Sequence, residues 1–326
     1  MSDPKLWLFV ALGALAAWFV WAWWRQAQQG KGVFPGDPAQ RHTWYHSVVG
    51  FVMCFFDTLG IGNFATTTSA FKFRGSMLDE KIPGTLNVGY ALPTVAQAYI
   101  YISAVKVDIA TLVSMIAASV LGAWLGAGVV ARWPRRRIQI GMGLALLGAS
   151  TLLLMQIIAT QKPIGDFLAS RVPLMDGVVP EIRQLFKGGE VLGLRGPLLA
   201  LGLVGNFCLG ALMTLGIGLY APCLILVSLL GMSPATAFPI MMGSCAFLMP
   251  TGGIRFIREG SYSLPASVAL TLAGIPAVLI AAYLVVSMNV DKLRWVVLFV
   301  VIYTAVMMLR SAIREGRARA GAPATP

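Results

Sequence analysis

The chain is a succession of long apolar stretches separated by short polar ones. Stretches of about 20 apolar residues are long enough to cross a lipid bilayer as helices. We therefore predict an all-α, polytopic membrane protein. The predicted elements are Leu6–Trp24, Trp44–Phe71, Pro83–Val105, Ile109–Ala131, Ile138–Thr160, Gly196–Gly231, Pro234–Ile257, Tyr262–Met288 and Leu293–Leu309.

The elements after residue 43 form two sets of four that correspond in order and length. The first element of each set contains the sequence T-L-G-I-G, at Thr58–Gly62 and again at Thr214–Gly218. The third element of each set has a glycine near its middle, Gly122 and Gly274. Such internal similarity indicates a duplicated half. We expect an extra N-terminal helix and loop (1–43), repeat 1 (44–160), an extracytoplasmic loop (161–195), repeat 2 (196–309) and a disordered basic tail (310–326).

Positive charge predicts the orientation of these elements. The chain carries 25 Lys and Arg against 13 Asp and Glu, and its densest basic loop is Arg132–Arg137. The positive-inside rule assigns this loop and the basic C-terminal tail to the cytoplasm, and the N-terminus to the outside. A polytopic protein with these features is expected in the bacterial inner membrane. Because the basic residues follow this rule, we do not expect a nucleic-acid partner.

This orientation requires an odd number of crossings after residue 195, although four elements follow it. We therefore expect the T-L-G-I-G element of each set to be a re-entrant hairpin that returns to its own side. Each half then crosses the membrane three times, and the second half is inverted relative to the first. Inverted repeats with broken helices at their interface are a recurrent plan among transporters.

The glycine breaks are the predicted ligand site. Irregular backbone at membrane depth is tolerated only where it is buried in protein or lines a cavity. A half-helix that starts after each break would direct free N–H groups toward the midplane, where they can bind an anion. The alternative is that the glycines only let helices pack closely. The candidate substrate-binding residues combine bare backbone with hydroxyl, amide and thiol groups: Gly60, Gly62, Asn63, Thr66, Asn87, Gln97, Thr214, Gly216, Gly218, Tyr220, Cys223 and Ser244.

One acidic residue, Asp57, lies well inside an apolar element. An intramembrane carboxylate is costly and is a functional candidate for that reason. Beside a bound anion it would repel the anion unless it were protonated, so Asp57 is a proton-coupling candidate. The alternative is a structural ion pair with Lys72 or Arg74 at the end of the element.

The remaining reactive residue types do not form a recognisable catalytic or metal-binding pattern. Four Cys lie in apolar stretches without metal-ligand spacing, and the two His (His42 and His46) are four residues apart with no acidic or Cys partner nearby. We find no nucleophile–base pair and no cofactor motif, so we expect no catalytic residues, no metal, no cofactor and no enzyme activity. Arg255 and Arg258 are expected either to anchor a helix at the membrane surface or to attract an anion.

The two glycine-broken elements resemble those of the TauE/SafE sulfite exporter family, also called the TSUP permeases. The stretches that carry the resemblance are "GFVMCFFDTLGIGNFATTTSAF" and "GNFCLGALMTLGIGLYAPCLILVSLLG". The resemblance implies a permease for a small anion such as sulfite, thiosulfate, an organosulfonate or a small carboxylate. Its partners would be that anion and membrane lipid; a homodimer is left open, and an anion channel is the alternative function.

Overall fold

The computed structural model describes residues 4–34, 36–130, 135–161, 166, 170, 171, 191–213 and 219–320, and every α-helix or 3-10 helix named below lies within these ranges. The helices of the first half are α1 (Pro4–Gln28), α2 (Thr43–Thr58), α3 (Phe64–Arg74), α4 (Ile82–Gly89), α5 (Ala91–Ala104), α6 (Ile109–Val130) and α7 (Arg135–Thr160). Those of the second half are α8 (Gly196–Met213), α9 (Tyr220–Leu229), α10 (Pro234–Glu259), α11 (Leu264–Ser287) and α12 (Val290–Ala320). Short 3-10 helices, Pro38–His42 and Asp79–Lys81, precede α2 and α4.

The length and composition of its helices indicate that the chain spans a membrane. In the described residues, five helical segments are long and apolar enough to cross a bilayer: Lys5–Gln28, Gly196–Met213, Ala235–Glu259, Leu264–Ser287 and Asp291–Arg314. Large apolar side chains on their outer faces are widely exposed, as at Leu272 and Phe299. In water such faces would be an aggregation hazard, whereas lipid tails cover them without cost.

Two helical elements differ from their predicted extents. The stretch Pro83–Val105 is divided into α4 and α5 at Tyr90. Pro93 has no N–H with which to bond the carbonyl of Gly89, and the hydroxyl of Thr271 in α11 donates to that carbonyl instead (Oγ1–O 2.7 Å). At the other end of the chain, α12 continues to Ala320, where we expected a disordered tail from residue 310.

Helices of the first half pack mainly against helices of the second half. The most extensive contacts join α2 to α11, and α8 to α6, so the first element of each half lies along the third element of the other. The second elements, α5 and α10, pack against each other, and so do the fourth elements, α7 and α12. Backbones approach closely at Gly122 and Gly210, where the α6 and α8 main chains touch.

Loops gather at two opposite ends of the bundle. At one end the segment between α1 and α2 meets the α10–α11 turn: the Ser263 hydroxyl donates to Asp37 (Oγ–Oδ2 2.7 Å) and the Tyr262 hydroxyl to the Lys31 carbonyl (3.1 Å). Burial raises the pKa of Tyr262 to about 12, so its hydroxyl remains a donor. The main chain connects the same two segments, because the Leu264 amide donates to the Gly32 carbonyl (2.8 Å).

The opposite end joins the segment before α6 to the segment before α8. The amide of Asp108 donates to the carbonyl of Leu192 (2.8 Å), and Val191 forms an isolated bridge with Met232. The Asp108 carboxylate accepts hydrogen bonds from the amide and the hydroxyl of Thr111, which lower its pKa. Most of the predicted loop 161–195 lies outside the described residues.

Candidate functional site

The interruption of the helix between α2 and α3 lies in the interior of the bundle. The helix ends at Thr58, and the next begins at Phe64. Gly60 and Gly62 have φ angles of 98° and 81°, a region that side chains other than glycine rarely adopt. These glycines therefore allow a turn in the middle of an apolar element, as the sequence predicts.

The two glycines have different surroundings. A Cβ at Gly60 would meet side chains of α9, α10 and α12 at 3.2 to 3.7 Å, so this residue is packed against the second half. A Cβ at Gly62 would meet nothing within 4 Å. The bare backbone at Gly62 thus borders open space.

Asp57 lies directly before the break and is 1% exposed. Its Oδ2 accepts a hydrogen bond from the Gln97 amide (Nε2–Oδ2 2.9 Å), and the same nitrogen lies 2.9 Å from the Thr58 hydroxyl. The Tyr220 hydroxyl, at the start of α9, also points to Oδ2 at 3.4 Å. One carboxylate therefore connects the break in the first half with the start of α9 in the second.

Two oxygens in this cluster have no hydrogen-bond partner among the described residues. They are Oδ1 of Asp57 and Oε1 of Gln97, and both are buried. A buried acceptor without a donor costs about 1–3 kcal/mol. The cluster is thus short of donors, and a proton on Asp57 or a ligand carrying a donor would satisfy it.

The alternative of an ion pair between Asp57 and a basic residue at the end of the element is wrong. Lys72 pairs with Asp79 at the exposed surface (Nζ–Oδ2 2.9 Å). The guanidinium of Arg74 stacks over the rings of Trp44 and Tyr45 at 5.3 and 4.7 Å. Both cations are occupied on the surface, whereas Asp57 is buried.

The other predicted site residues are distributed unevenly around the break. Asn63 is buried at the start of α3, and the Thr66 hydroxyl bonds back to the carbonyl of Asn63 (3.0 Å). The Asn87 amide donates to the Pro83 carbonyl within its own helix and has no recorded contact with Asp57. Thr214, Gly216 and Gly218 lie outside the described residues.

Two further candidates belong to the second half. Cys223 is fully buried in α9. Ser244 in α10 lies 3.5 Å from the amide of Asn206, which also donates to the Met115 carbonyl at 2.7 Å. This hydrogen-bonded group ties α8 to α6 and α10, and no recorded bond links it to Asp57.

The structure adds two polar residues of α5 that we did not select. Tyr101 donates to the Thr58 carbonyl (2.8 Å), and Thr94 donates to the sulfur of Met249 in α10 (3.4 Å). Thr94, Gln97 and Tyr101 follow spacings of three and four, which place them on one face of a helix. This polar stripe was readable in the sequence.

The helix that follows the first break, α3, and the helix α9 of the second half both begin without a side-chain cap. Neither Asn63, at the N-terminus of α3, nor Leu219, at that of α9, forms a capping hydrogen bond through its side chain. The first N–H groups of a helix have no partner within the helix and carry partial positive charge. Uncapped N-termini can bind an anion.

Helices of this length and composition, with a polar cluster sealed inside the bundle, define an integral membrane protein with several spans. The family model described as "Sulfite exporter TauE/SafE" matches residues 2–153. Residues 2–153 therefore match the TauE/SafE sulfite exporter family, which confirms the resemblance noted in the sequence for this part of the chain. The match includes α1, which we had treated as an addition, whereas the second half lies outside it. Comparisons with curated proteins and with solved structures gave no match.

Proposed function

We propose that this protein is a secondary transporter for a small anion, bound between the glycine break of the first half and the start of α9. The observation that carries the proposal is the buried cluster in which Asp57 and Gln97 meet Tyr220 beside irregular backbone. The match of residues 2–153 to a sulfite exporter family supports anion transport. Sulfite, thiosulfate, organosulfonates and small carboxylates are the candidate substrates.

The helix contacts support two inverted halves with re-entrant elements. The Tyr45 hydroxyl near the start of α2 donates to the Ala70 carbonyl near the end of α3 (2.9 Å), so both arms of the first hairpin end on one side. In the second hairpin, Val191 before α8 bonds to Gly231 after α9. The 16 residues of α2 span only about 24 Å, less than the roughly 30 Å of a hydrocarbon core.

The arrangement of loops supports the predicted orientation. The segments around Lys31, Lys81 and Gly260, which we assigned to the cytoplasm, meet at one end of the bundle. The segments around Asp108 and Leu192, assigned to the outside, meet at the other. An N-terminus outside and a C-terminus in the cytoplasm of the inner membrane agree with both sets of contacts.

Proton coupling follows from the surroundings of Asp57. An ionised carboxylate away from water is costly unless a counter-charge accompanies it, and the groups around Asp57 are the neutral ones of Gln97, Tyr220 and the Asn63 backbone amide. An anion bound beside Asp57 would increase this cost. Co-transport of a proton on Asp57 with the anion removes the repulsion and couples the two movements.

The test is uptake of radiolabelled sulfite and thiosulfate into proteoliposomes that contain the full chain. We expect saturable uptake that a pH gradient accelerates. Asp57→Asn should abolish the acceleration, because the amide cannot exchange a proton. Asp79→Asn is the matched control, since Asp79 is exposed and paired with Lys72, and it should keep the wild-type pH profile.

Three outcomes would contradict the proposal. An unchanged pH profile in Asp57→Asn would remove proton coupling through this residue. Channel-sized currents without saturation would indicate an anion channel. Failure of sulfite, thiosulfate, taurine, sulfoacetate and simple carboxylates both to shift the unfolding temperature and to be transported would exclude the substrate class.

A further inference from the structure

A groove between α1 and α10 lies at the membrane end that also contains the α10–α11 turn. Its volume is about 270 Å³. It is lined by Trp18, Trp21, Ala22, Arg25, Gln26, Gln29, Ile254, Ile257 and Arg258. The tryptophans are exposed on the outer face of α1. Tryptophan side chains in this position are typical of the boundary between lipid tails and headgroups.

Two arginines give the groove positive charge. Arg25 and Arg258 both line it, and among the described residues neither has a carboxylate partner. The Arg25 guanidinium is held over the Trp21 ring, with 5.4 Å between them. The nearby Glu259 is engaged by Arg255, whose Nε lies 2.9 Å from Oε1. Both arginines are exposed and available to a negative group.

The helix dipoles oppose an anion here, but the side-chain charges are larger. The groove lies beside the C-terminal turns of α1 and α10, where each helix contributes roughly half a negative charge. The two guanidinium groups contribute two full positive charges and ten N–H donors between them. The site thus remains attractive for an anion that can accept several hydrogen bonds.

We propose that this groove binds the headgroup of an anionic phospholipid. A phosphodiester between Arg25 and Arg258 would accept charge-assisted hydrogen bonds from both guanidinium groups. The amides of Gln26 and Gln29 can donate to the glycerol region of such a headgroup. The apolar wall formed by Ile254 and Ile257 would contact the first part of an acyl chain. Basic pockets between transmembrane helices bind anionic lipid headgroups in this way.

The proposal also gives the lipid a structural role. Phe19 of α1 packs on Gly253 of α10, where a Cβ would meet the ring at 3.0 Å. A headgroup bound one turn further along would connect the same two helices through Arg25 and Arg258. An anionic lipid should therefore strengthen the association of α1 with the rest of the bundle.

The test is native mass spectrometry of the detergent-purified full chain, titrated with phosphatidylglycerol or phosphatidylcholine of identical acyl chains. We expect phosphatidylglycerol to bind more tightly. Each of Arg25→Gln and Arg258→Gln should weaken it about fivefold, and the double variant about thirtyfold. Arg255→Gln is the matched control, because Arg255 lies on the same helix turn but is paired with Glu259 and does not line the groove.

Several results would overturn the proposal. These are equal binding of the two lipids, an unchanged affinity in the double variant, or a loss in Arg255→Gln as large as that in Arg258→Gln. Displacement of phosphatidylglycerol by millimolar inorganic phosphate would also overturn it, because it would indicate a site for small anions. If the double variant does not purify intact, Arg25→Lys with Arg258→Lys keeps both charges and should lose less affinity than either single Gln variant.

Discussion

Adding a single methyl group at Gly122 or Gly210 should separate α6 from α8. A Cβ at Gly122 would lie 1.9 Å from the Phe207 carbonyl oxygen, and one at Gly210 would lie 2.0 Å from that of Ser119. Non-bonded heavy atoms prefer about 3.5 Å, so each substitution is short of space by about 1.5 Å. The obstructing atom is backbone and cannot rotate away.

The expected change in the free energy of unfolding is the difference between an overpacking cost and a gain in helix propensity. Overpacking of this kind costs about 3 kcal/mol at the upper end of its usual range. Replacing glycine by alanine within a helix stabilises the helix by about 1 kcal/mol. We therefore expect Gly122→Ala and Gly210→Ala each to lower the free energy of unfolding by about 2 kcal/mol, a fall of roughly 4 °C in the unfolding temperature.

The assay is thermal unfolding of detergent-purified protein with a thiol-reactive dye. Cys54, Cys223 and Cys245 are buried and report unfolding. Gly148→Ala in α7 is the control, because a Cβ there meets nothing within 4 Å.

We expect Gly148→Ala to be neutral or slightly stabilising. If Gly122→Ala and Gly210→Ala unfold at the same temperature as Gly148→Ala, then α6 and α8 do not touch at these glycines. That result would also remove one of the two exchanged contacts on which the relation between the halves depends.

Two further predictions concern hydrogen bonds. Thr271→Val should cost about 1 kcal/mol, because it leaves the Gly89 carbonyl without the hydroxyl that replaces a helical donor; Thr304→Val, which removes only a bond to a carbonyl within its own helix, should be nearly neutral in the same unfolding assay. The pKa of Asp108 is lowered because its carboxylate accepts hydrogen bonds from Thr111. Its contribution to stability is therefore present above about pH 4, the pKa in the unfolded chain, and is lost as the pH falls through the lower pKa of the folded state. The unfolding temperature of Asp108→Asn should therefore fall less between pH 6 and pH 3 than that of the wild type. Equal falls in the two proteins would contradict this.

The apolar pattern was sufficient to predict most helices and the position of the first break. Gly60 and Gly62 interrupt an apolar stretch, and interruption by paired glycines has few structural explanations besides a turn. Asp57 was identifiable for a similar reason, since an acid inside such a stretch is costly. Both inferences depend on local chemistry that the sequence records directly.

The division between α4 and α5 was not predicted, although its cause is partly visible in the sequence. Pro93 removes one helical hydrogen bond, but many membrane helices accept a proline without ending. Here Thr271, far along the chain, supplies the donor that the Gly89 carbonyl needs. Whether a proline divides a helix depends on which neighbour is available, and that is a property of the packed bundle.

The choice among the candidate polar residues also required the fold. Gln97 and Asn87 are both amides near a predicted break, and the sequence treats them alike. In the structure Gln97 reaches Asp57, whereas Asn87 bonds back to its own helix. A rotation of about 100° per residue decides which face of a helix a side chain occupies, and the neighbouring helices decide what that face contacts.

The sequence by itself determined that this protein is a helical membrane protein, where its chain breaks in the first half, and that one carboxylate is buried there. These properties follow from the length of apolar stretches and from the cost of placing charge and irregular backbone in lipid. Only the tertiary structure decided that Asp57 meets Tyr220 and that two arginines from α1 and α10 share a groove. Asp57 and Tyr220 are separated by 163 positions in the chain, and the two arginines by 233 positions. They come together because helices pack by their surfaces, and the order of the helices in the sequence does not decide which surfaces meet.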